Sequence, residues 1–239
     1  MANYPPPPPG GYGPPGGPPG WGPQGQPAYD PYAADRALAA WATERQYELV
    51  AQPDPNFYFS WYPFAYLPRP GGVTRELRAT IDDARLFVGE GTEADPLRQA
   101  MGGSARLLFF FILSPRLRCR ASVRSKQGGG IDKEIGRELS NLFGGGAKPA
   151  GSILGDPTLE QRFDVTAPSR DEGNWALPMP LRQILVQPHF RGILETRAGG
   201  MVVHLYDYTA FEPGTLDKAI QLVTAIYRAA VEQPAAPGG

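Results

Sequence analysis

The longest apolar run of the chain predicts a strand at the centre of a sheet. The residues from Leu107 to Leu113 follow one another without a polar position. A strand with one wet face alternates apolar and polar side chains, so an unbroken run is typical of a strand covered on both faces. As a helix the run would reach only about 10 Å, whereas a spanning helix crosses roughly 30 Å of hydrocarbon. We therefore predict a buried strand and no transmembrane segment.

Alternation begins directly after this run. Apolar side chains occupy every second position from Leu117 to Val123, and arginines occupy most positions between them. One straight strand over 107–124 would span about 60 Å, but a domain of about 200 residues is only some 40 Å across. The chain must therefore turn at Ser114-Pro115, in a second hairpin or a sharp bend.

The N-terminal part of the chain predicts a helix, an aromatic segment and a hairpin. Asp30-Pro31 is a helix start signal, and the apolar stripe behind it predicts a helix over 33–50. The aromatic residues between Phe57 and Tyr66 favour an extended segment that packs on both sides. Alternation over 73–90 predicts a hairpin that turns at Asp82-Asp83.

The C-terminal third carries the clearest patterns. "QRFDVTA" predicts a strand, "LPMPLRQILVQP" a short helix, and the stretch around 198–200 a hairpin turn. A long helix follows, capped by Gly214 or Thr215. Strands thus arrive in hairpins with helices interspersed, which predicts an α+β fold with an antiparallel sheet and helices packed mainly on one face.

Composition divides the chain into segments. Proline and glycine make up most of the first 27 residues, which have no charged side chain, so we predict a disordered tail over 1–30. An α+β domain is predicted over 31–232, with possible sub-lobes 31–127 and 155–232 joined by a Gly-flanked helix over 131–143. Residues 233–239 are predicted to be a disordered C-terminus.

The C-terminal pattern also carries a resemblance. Residues 155–232, with "GDPTLEQRFDV" and a last helix, resemble uncharacterised bacterial proteins that pair such a domain with a Pro/Gly-rich N-terminus. The resemblance implies a bacterial protein and brings no known activity with it.

Net charge and cysteine content limit the partners, the metal sites and the cellular compartment that can be expected. The formal net charge is −1, which disfavours nucleic acid as a partner of the whole chain. Cys119 is the single cysteine, which excludes an internal disulfide and a multi-cysteine zinc site. No secretory signal is visible at the N-terminus. These features predict a cytoplasmic protein.

The sequence offers no assembled catalytic, metal or cofactor site. His189 and His204 are not at metal-ligand spacing, and Cys119 shares its predicted strand face with apolar residues, so we expect a buried, inert thiol. "GGGAKPAGS" lacks the junction of a phosphate-binding loop. Acidic pairs such as Asp171-Glu172 lie in turn-like contexts. We predict no catalytic residue, no metal and no cofactor.

The most specific charged feature is the arginine-rich stretch after the apolar run. On one strand face its side chains would stand about 6.6 Å apart, a spacing suited to lipid headgroups, nucleic acid or an acidic partner protein. Ordinary solvated charge on an edge strand is the alternative. The candidate anion- or partner-binding residues are Arg116, Arg118, Arg120, Arg124 and Lys126.

Three functions follow from these patterns. The first is a non-enzymatic interaction or accessory protein with a partner-binding domain and a flexible tail. The tail's "PPPPP" is suited to aromatic grooves, although a solubilising extension would have the same composition. The second is a peripheral binder of anionic ligands through the arginine face over 116–124. The third is an enzyme of an unrecognised type.

Overall fold

The computed structural model describes residues 30, 32–61, 64–67, 70–93, 106–126 and 154–232. The predicted helix over 131–143, the C-terminal segment 233–239 and all of the predicted tail except Asp30 lie outside these residues. The chain divides into two units, residues 1–33 and residues 34–239. In the first unit, the Asp30 side chain accepts a hydrogen bond from the Tyr32 backbone N–H at 3.0 Å. The sheet belongs to the second unit, and the first helix starts at the boundary between the units.

Eight described strands form one sheet in which every neighbouring pair is antiparallel. Their order across the sheet is β1-β2-β3-β4-β8-β7-β5-β6. The strands are β1 (Glu48–Val50), β2 (Pro70–Ile81), β3 (Ala84–Glu93), β4 (Arg106–Leu113), β5 (Ala121–Ser125), β6 (Phe163–Thr166), β7 (Gly192–Arg197) and β8 (Gly200–Leu205).

The helices of the described residues are mostly short. They are α1 (Ala33–Glu44), α2 (Pro55–Phe59), α3 (Pro157–Arg162), α4 (Arg170–Ala176), α5 (Met179–Leu185) and α6 (Pro213–Val231). Among them no helix is both long and apolar enough to cross a membrane.

The apolar run is the central strand that its pattern predicts. β4 lies between β3 and β8, and its side chains alternate between two separate hydrophobic clusters. Phe110 belongs to the cluster on one face, and Phe109 and Phe111 belong to the cluster on the other. Both faces are therefore buried, which is why the sequence shows no alternation.

The two faces of the sheet are covered differently, and this confirms the α+β fold with helices mainly on one face. Buried side chains of α1, α3, α4, α5 and α6 all join the larger cluster. The opposite face is covered by α2 and the chain that follows it, residues 55–61 and 64–67, which we call the aromatic cover. Strands from both predicted sub-lobes alternate in this one sheet, because β8 and β7 lie between β4 and β5.

The first helix is shorter than predicted. α1 ends at Glu44, and the prediction of a helix to residue 50 is wrong because Gln46 adopts a positive φ of 57° that reverses the chain. The Tyr47 backbone N–H then donates to the Ala42 carbonyl at 2.8 Å. The residues that follow form the edge strand β1, paired with β2.

The aromatic segment is also different from its prediction. It starts with a short helix, α2, rather than an extended strand, because the Asp54 side chain caps the Asn56 backbone N–H at 2.9 Å and Pro55 occupies the first helical position. The segment packs on one face of the sheet only. Its aromatic residues form a layer over the sheet face that carries Phe87, Phe109 and Phe111.

The chain turns after β4 at Ser114, as its length requires, but the turn does not lead into a hairpin. β5 pairs with β6 and β7 and not with β4. The expected arginine strand over 116–124 is wrong in its extent, since only Ala121–Ser125 is a strand. The hydroxyl groups of Ser114 and Tyr227 lie 2.9 Å apart and join this turn to α6.

The two predicted hairpins and the last helix are confirmed. β2 and β3 turn over Asp82, whose φ is +53°, and β7 and β8 turn over Gly199, whose φ is +88°. The N-cap residue of α6 is Glu212, so the prediction of a cap at Gly214 or Thr215 is wrong. The Thr215 hydroxyl instead donates to the Glu212 side chain at 2.9 Å.

Candidate functional site

An apolar groove opens on the helical side of the domain, where α4, α5 and the end of α6 meet. Its volume is about 530 Å³, within the range of ligand sites in proteins. We call it the apolar groove. Its lining residues are Asn174, Trp175, Pro178, Met179, Pro180, Arg182, Ala230 and Glu232.

Two large apolar side chains of this groove face solvent. Trp175 and Met179 each expose 57% of their surface, whereas the other large apolar residues of the lining helices are mostly buried. Of the four large hydrophobic residues that the described part of the chain exposes, these two share one groove. Large exposed apolar patches on a folded domain mark interaction sites more often than isolated residues do.

The local sequence explains how these two side chains come together. The Ser169 hydroxyl accepts the Glu172 backbone N–H at 3.1 Å and starts α4. Pro178 disfavours a helical conformation for the residue before it, and Leu177 accordingly has φ −123° and ψ 69°. Leu177 is fully buried, so α4 ends and α5 starts around a fixed corner. Trp175 and Met179 lie on either side of that corner.

A buried arginine forms part of the groove wall. The Arg182 side chain is only 9% exposed. Its Nε donates to the Leu177 carbonyl at 2.7 Å, and its Nη2 donates to the Asn174 side chain. Nη1 lies 3.7 Å from the Asp156 carboxylate and 4.0 Å from the Met179 sulfur. The guanidinium therefore faces a backbone carbonyl, a side-chain amide and a carboxylate, and the Met179 sulfur lies beside the carboxylate side.

Burial governs the electrostatics of this arginine. Loss of water around the guanidinium lowers the pKa of Arg182, while Asp156 and Glu160 oppose that shift. The side chain stays charged, because an arginine pKa begins far above neutral pH. The groove wall thus contains a charged arginine in a partly desolvated setting, and Asp156 is within ion-pair distance of that charge.

A second groove adjoins the first and has a different chemistry. It lies between α5 and α6, has a volume of about 570 Å³, and shares Pro180 and Glu232 with the apolar groove. Three glutamine side chains line it, and we call it the amide groove: Gln183, Gln187 and Gln221. An amide both donates and accepts hydrogen bonds, so this surface is suited to a peptide backbone.

The residues considered for catalysis lie apart from these grooves. His204 is buried, with Nδ1 3.0 Å from the Leu108 carbonyl, and His189 is exposed. Cys119 is half-buried, and burial raises the pKa of its thiol. In the described part of the chain, no group of three or more His, Cys, Asp or Glu side chains could hold a metal ion.

The side chains of the predicted arginine face contact different parts of the domain. Arg124 donates to Asp164 at 2.7 Å and stacks on Tyr66. Arg116 donates to the Val231 carbonyl at 3.1 Å, and Lys126 donates to the Glu160 carbonyl at 2.5 Å.

All members of this set except Arg124 are exposed. Arg118 and Arg120 are exposed, and the Arg120 backbone N–H donates to the Glu172 carboxylate at 3.0 Å. Anion binding by these side chains stays a prediction.

The apolar groove was not among the predicted sites. α4 itself went unpredicted, because Asp171-Glu172 resembles turn chemistry. The spacing Ser169-x-x-Glu172 was the available signal, since Ser followed three residues later by Glu is typical of a helix start. The exposure of Trp175 has no sequence signal, because it depends on how three helices that are not all adjacent in sequence meet.

Comparisons with known proteins show the fold and no family. No family model matches the chain, and no curated protein matches it. Among solved structures, the chain is similar to the mycobacterial trehalose monomycolate transport factor A, TtfA. The TM-score is 0.51 at 10% identity, with 84% of this chain and 97% of TtfA covered. At this identity the likeness establishes a shared architecture.

Proposed function

We propose that this chain is a non-catalytic accessory protein that binds a partner protein through the apolar groove. The exposed pair Trp175 and Met179 carries the proposal. Tryptophan, methionine and arginine are enriched at protein interfaces, and a few buried anchors supply most of the binding energy there. All three residue types line this groove.

The structural neighbour supports an accessory role. TtfA is named as a transport factor, and nearly all of that chain superposes on the architecture described here. We extend from it only the general role of a factor that assists another component.

Three buried ionisable groups of the domain also favour an accessory protein over an enzyme. The Glu195 carboxylate accepts hydrogen bonds from three backbone N–H groups of the aromatic cover. Glu76 accepts from Tyr58 and from Arg78, and His204 contacts a backbone carbonyl. Such contacts stabilise the fold, and they leave these groups committed to it rather than aimed into either groove.

Site-specific photocrosslinking in the native cell tests the proposal. A photoreactive amino acid replaces Met179 in the full chain, and a matched control replaces Leu49, which is also exposed but lies on the edge strand β1. We expect one protein to crosslink at 179 and not at 49. The same protein, purified, should then bind the wild-type chain and lose most of that binding with Trp175→Ala.

Deletion of residues 1–29 separates the domain from the proline-rich segment. Binding that is kept after the deletion and lost with Trp175→Ala supports the proposal. Binding that is lost after the deletion and kept with Trp175→Ala would place the partner site outside the groove and overturn it.

A further inference from the structure

Two arginines occupy opposing positions at one end of the β5–β7 pair. Ala121 lies directly opposite Thr196 in this antiparallel pair. Arg120 precedes Ala121 and Arg197 follows Thr196, so the two arginines are the next opposing residues. Side chains at opposing positions project from the same face of a sheet, with Cβ atoms about 5 Å apart. The fold therefore brings two guanidinium groups within reach of one ligand.

The Arg197 side chain is held in place by Trp61 of the aromatic cover. Its guanidinium carbon lies 3.7 Å from the centroid of the Trp61 ring, and its Nη1 donates to the Trp61 carbonyl at 2.9 Å. Stacking uses the flat face of the guanidinium and leaves the in-plane N–H groups available. Among the described residues, Nε and Nη2 of Arg197 have no hydrogen-bond acceptor. The group is therefore oriented and still has donors for a ligand.

Arg197 is half-buried without a directly paired carboxylate. Loss of water around the guanidinium lowers the pKa of Arg197, Glu195 raises it, and the like charge of Arg120 lowers it. Four other half-buried arginines each have a carboxylate 2.5 to 2.8 Å away: Arg45, Arg75, Arg78 and Arg124. No carboxylate in the described part of the chain lies within ion-pair distance of Arg197. Since a partly desolvated charge is stabilised by a counterion, a bound anion would supply the partner that the chain does not.

Two carboxylates near the arginine pair are engaged by other donors. Glu195 accepts the three backbone N–H groups of the aromatic cover and lies 3.4 Å from the Ser122 hydroxyl. Glu172 accepts the Arg120 backbone N–H at 3.0 Å, and it belongs to α4, which packs on the other face of the sheet. Exposed Arg118 adds a third positive charge two positions from Arg120. Three arginines against two carboxylates leave this surface net positive.

We propose that Arg120 and Arg197 form a binding site for a phosphate group. A carboxylate has two oxygens, and the fork of a single guanidinium can engage both of them. A phosphate monoester has three terminal oxygens and about two negative charges, so two forks can bond to it at once. The site lies on β5 and β7, away from the apolar groove, and it goes beyond the proposed function without depending on it.

Indole NMR of the tryptophan-labelled full-length chain tests the site. Inorganic phosphate should give a saturable shift of the Trp61 signal, which is identified by its loss in Trp61→Phe. Trp41 is the internal control, because Arg45 lies 5.2 Å from the centroid of its ring and is already paired with Asp217. The Trp41 signal should stay in place, and chloride at the same ionic strength should shift neither signal.

Substitution of the exposed arginine separates binding from folding. Arg120→Gln should weaken phosphate binding about tenfold and leave the melting temperature unchanged, because this side chain is exposed. Arg197→Lys keeps the charge but removes the fork, and it should also weaken binding. Arg85→Gln is the matched control, since Arg85 is exposed and lies 5.1 Å from the centroid of the Phe87 ring. Undiminished phosphate binding in Arg120→Gln, or an equal loss in Arg85→Gln, overturns the inference.

Vesicle cosedimentation distinguishes a lipid headgroup from a soluble phosphate. Phosphatidylcholine vesicles are compared with vesicles that also contain phosphatidic acid, whose headgroup is a phosphate monoester. Cosedimentation that requires both phosphatidic acid and Arg120 identifies a lipid ligand. A Trp61 shift with inorganic phosphate and no retention on vesicles identifies a soluble one. If neither probe binds, the inference is overturned, and the proposed function of the apolar groove is unaffected.

Discussion

The carboxylate of Glu195 accepts the backbone N–H of Tyr66 at 2.7 Å, across the face of the sheet opposite the long helix α6. The same carboxylate accepts the N–H groups of Ala65 and Leu67, each at 2.9 Å. One side chain of β7 therefore satisfies three consecutive backbone donors. It is one of the polar attachments of a layer whose other contacts are mainly aromatic.

Removal of this carboxylate should loosen the aromatic cover. We expect Glu195→Ala to lower the free energy of unfolding by about 3 kcal/mol or more, because three backbone donors lose their acceptor. Glu195→Gln keeps one acceptor oxygen and should show a smaller loss. Urea denaturation measures both, and a change below about 0.5 kcal/mol in the alanine variant would show that water replaces the carboxylate at little cost.

A side chain at Gly89 should destabilise the fold. A Cβ atom at this position would lie 2.8 Å from Cε1 of Tyr58, a ring that is fully buried and held by Glu76. We expect Gly89→Ala to cost roughly 1–3 kcal/mol of stability through overpacking. Gly72 on the paired strand has open space around its Cβ direction, so Gly72→Ala is the matched control. Equal melting temperatures for the two variants would contradict the close contact.

Cys119 should react slowly with thiol reagents. Burial raises the pKa of its thiol, Glu172 raises it further, and Arg118 opposes them. A smaller fraction is therefore thiolate at pH 7 than in a free thiol. Because Cys119 is the single cysteine, the rate with Ellman's reagent reports this site alone. We expect a faster rate in Glu172→Gln and the fastest in urea. A native rate matching that of glutathione would disprove the expected inert thiol.

The stability of the fold should depend on pH through the ionisation of Asp82. The Arg228 guanidinium donates to both its oxygens at 2.9 Å and holds the pKa of Asp82 below its ordinary value of 3.8. Because the pKa of Asp82 is lower in the folded state than in the unfolded state, its ionised form stabilises the folded state at pH values above the ordinary pKa. This stabilisation is lost as the pH falls through the lower pKa of the folded state. Arg228→Gln should return the Asp82 pKa toward 3.8, as followed by carboxyl carbon NMR. Nearby Arg116 keeps the return incomplete. An unchanged titration would rule out the pairing in solution.

The hypothesis of an anion-binding arginine face makes its own prediction. If Arg116, Arg118 and Arg120 bind anions, changing all three to Gln should reduce salt-dependent retention on heparin and on anionic liposomes. Arg106→Gln is the control, since that side chain is 72% exposed but lies at the start of β4. Retention that survives the triple change while the fold stays intact would remove the hypothesis.

Sequence patterns predicted those strands and helices that depend on neighbouring residues. Alternation and a turn define β2–β3 and β7–β8, and a stripe at helical spacing defines α6, so these follow from neighbouring residues. α1 was predicted too long because Gln46 breaks it by adopting a conformation that its side chain does not signal. The pairing of β4 with β8, and the groove beside Trp175, depend on segments far apart in sequence. No periodicity within either segment contains that information.

The place of β4 between β3 and β8 has a consequence for the chain during synthesis. Translation produces this most apolar strand long before Gly200–Leu205, the strand that completes its second edge. Until then the nascent chain presents an unpaired apolar edge, which is prone to pair with other chains. Mispairing of β4 with other chains is therefore most favoured while the nascent chain ends before residue 200.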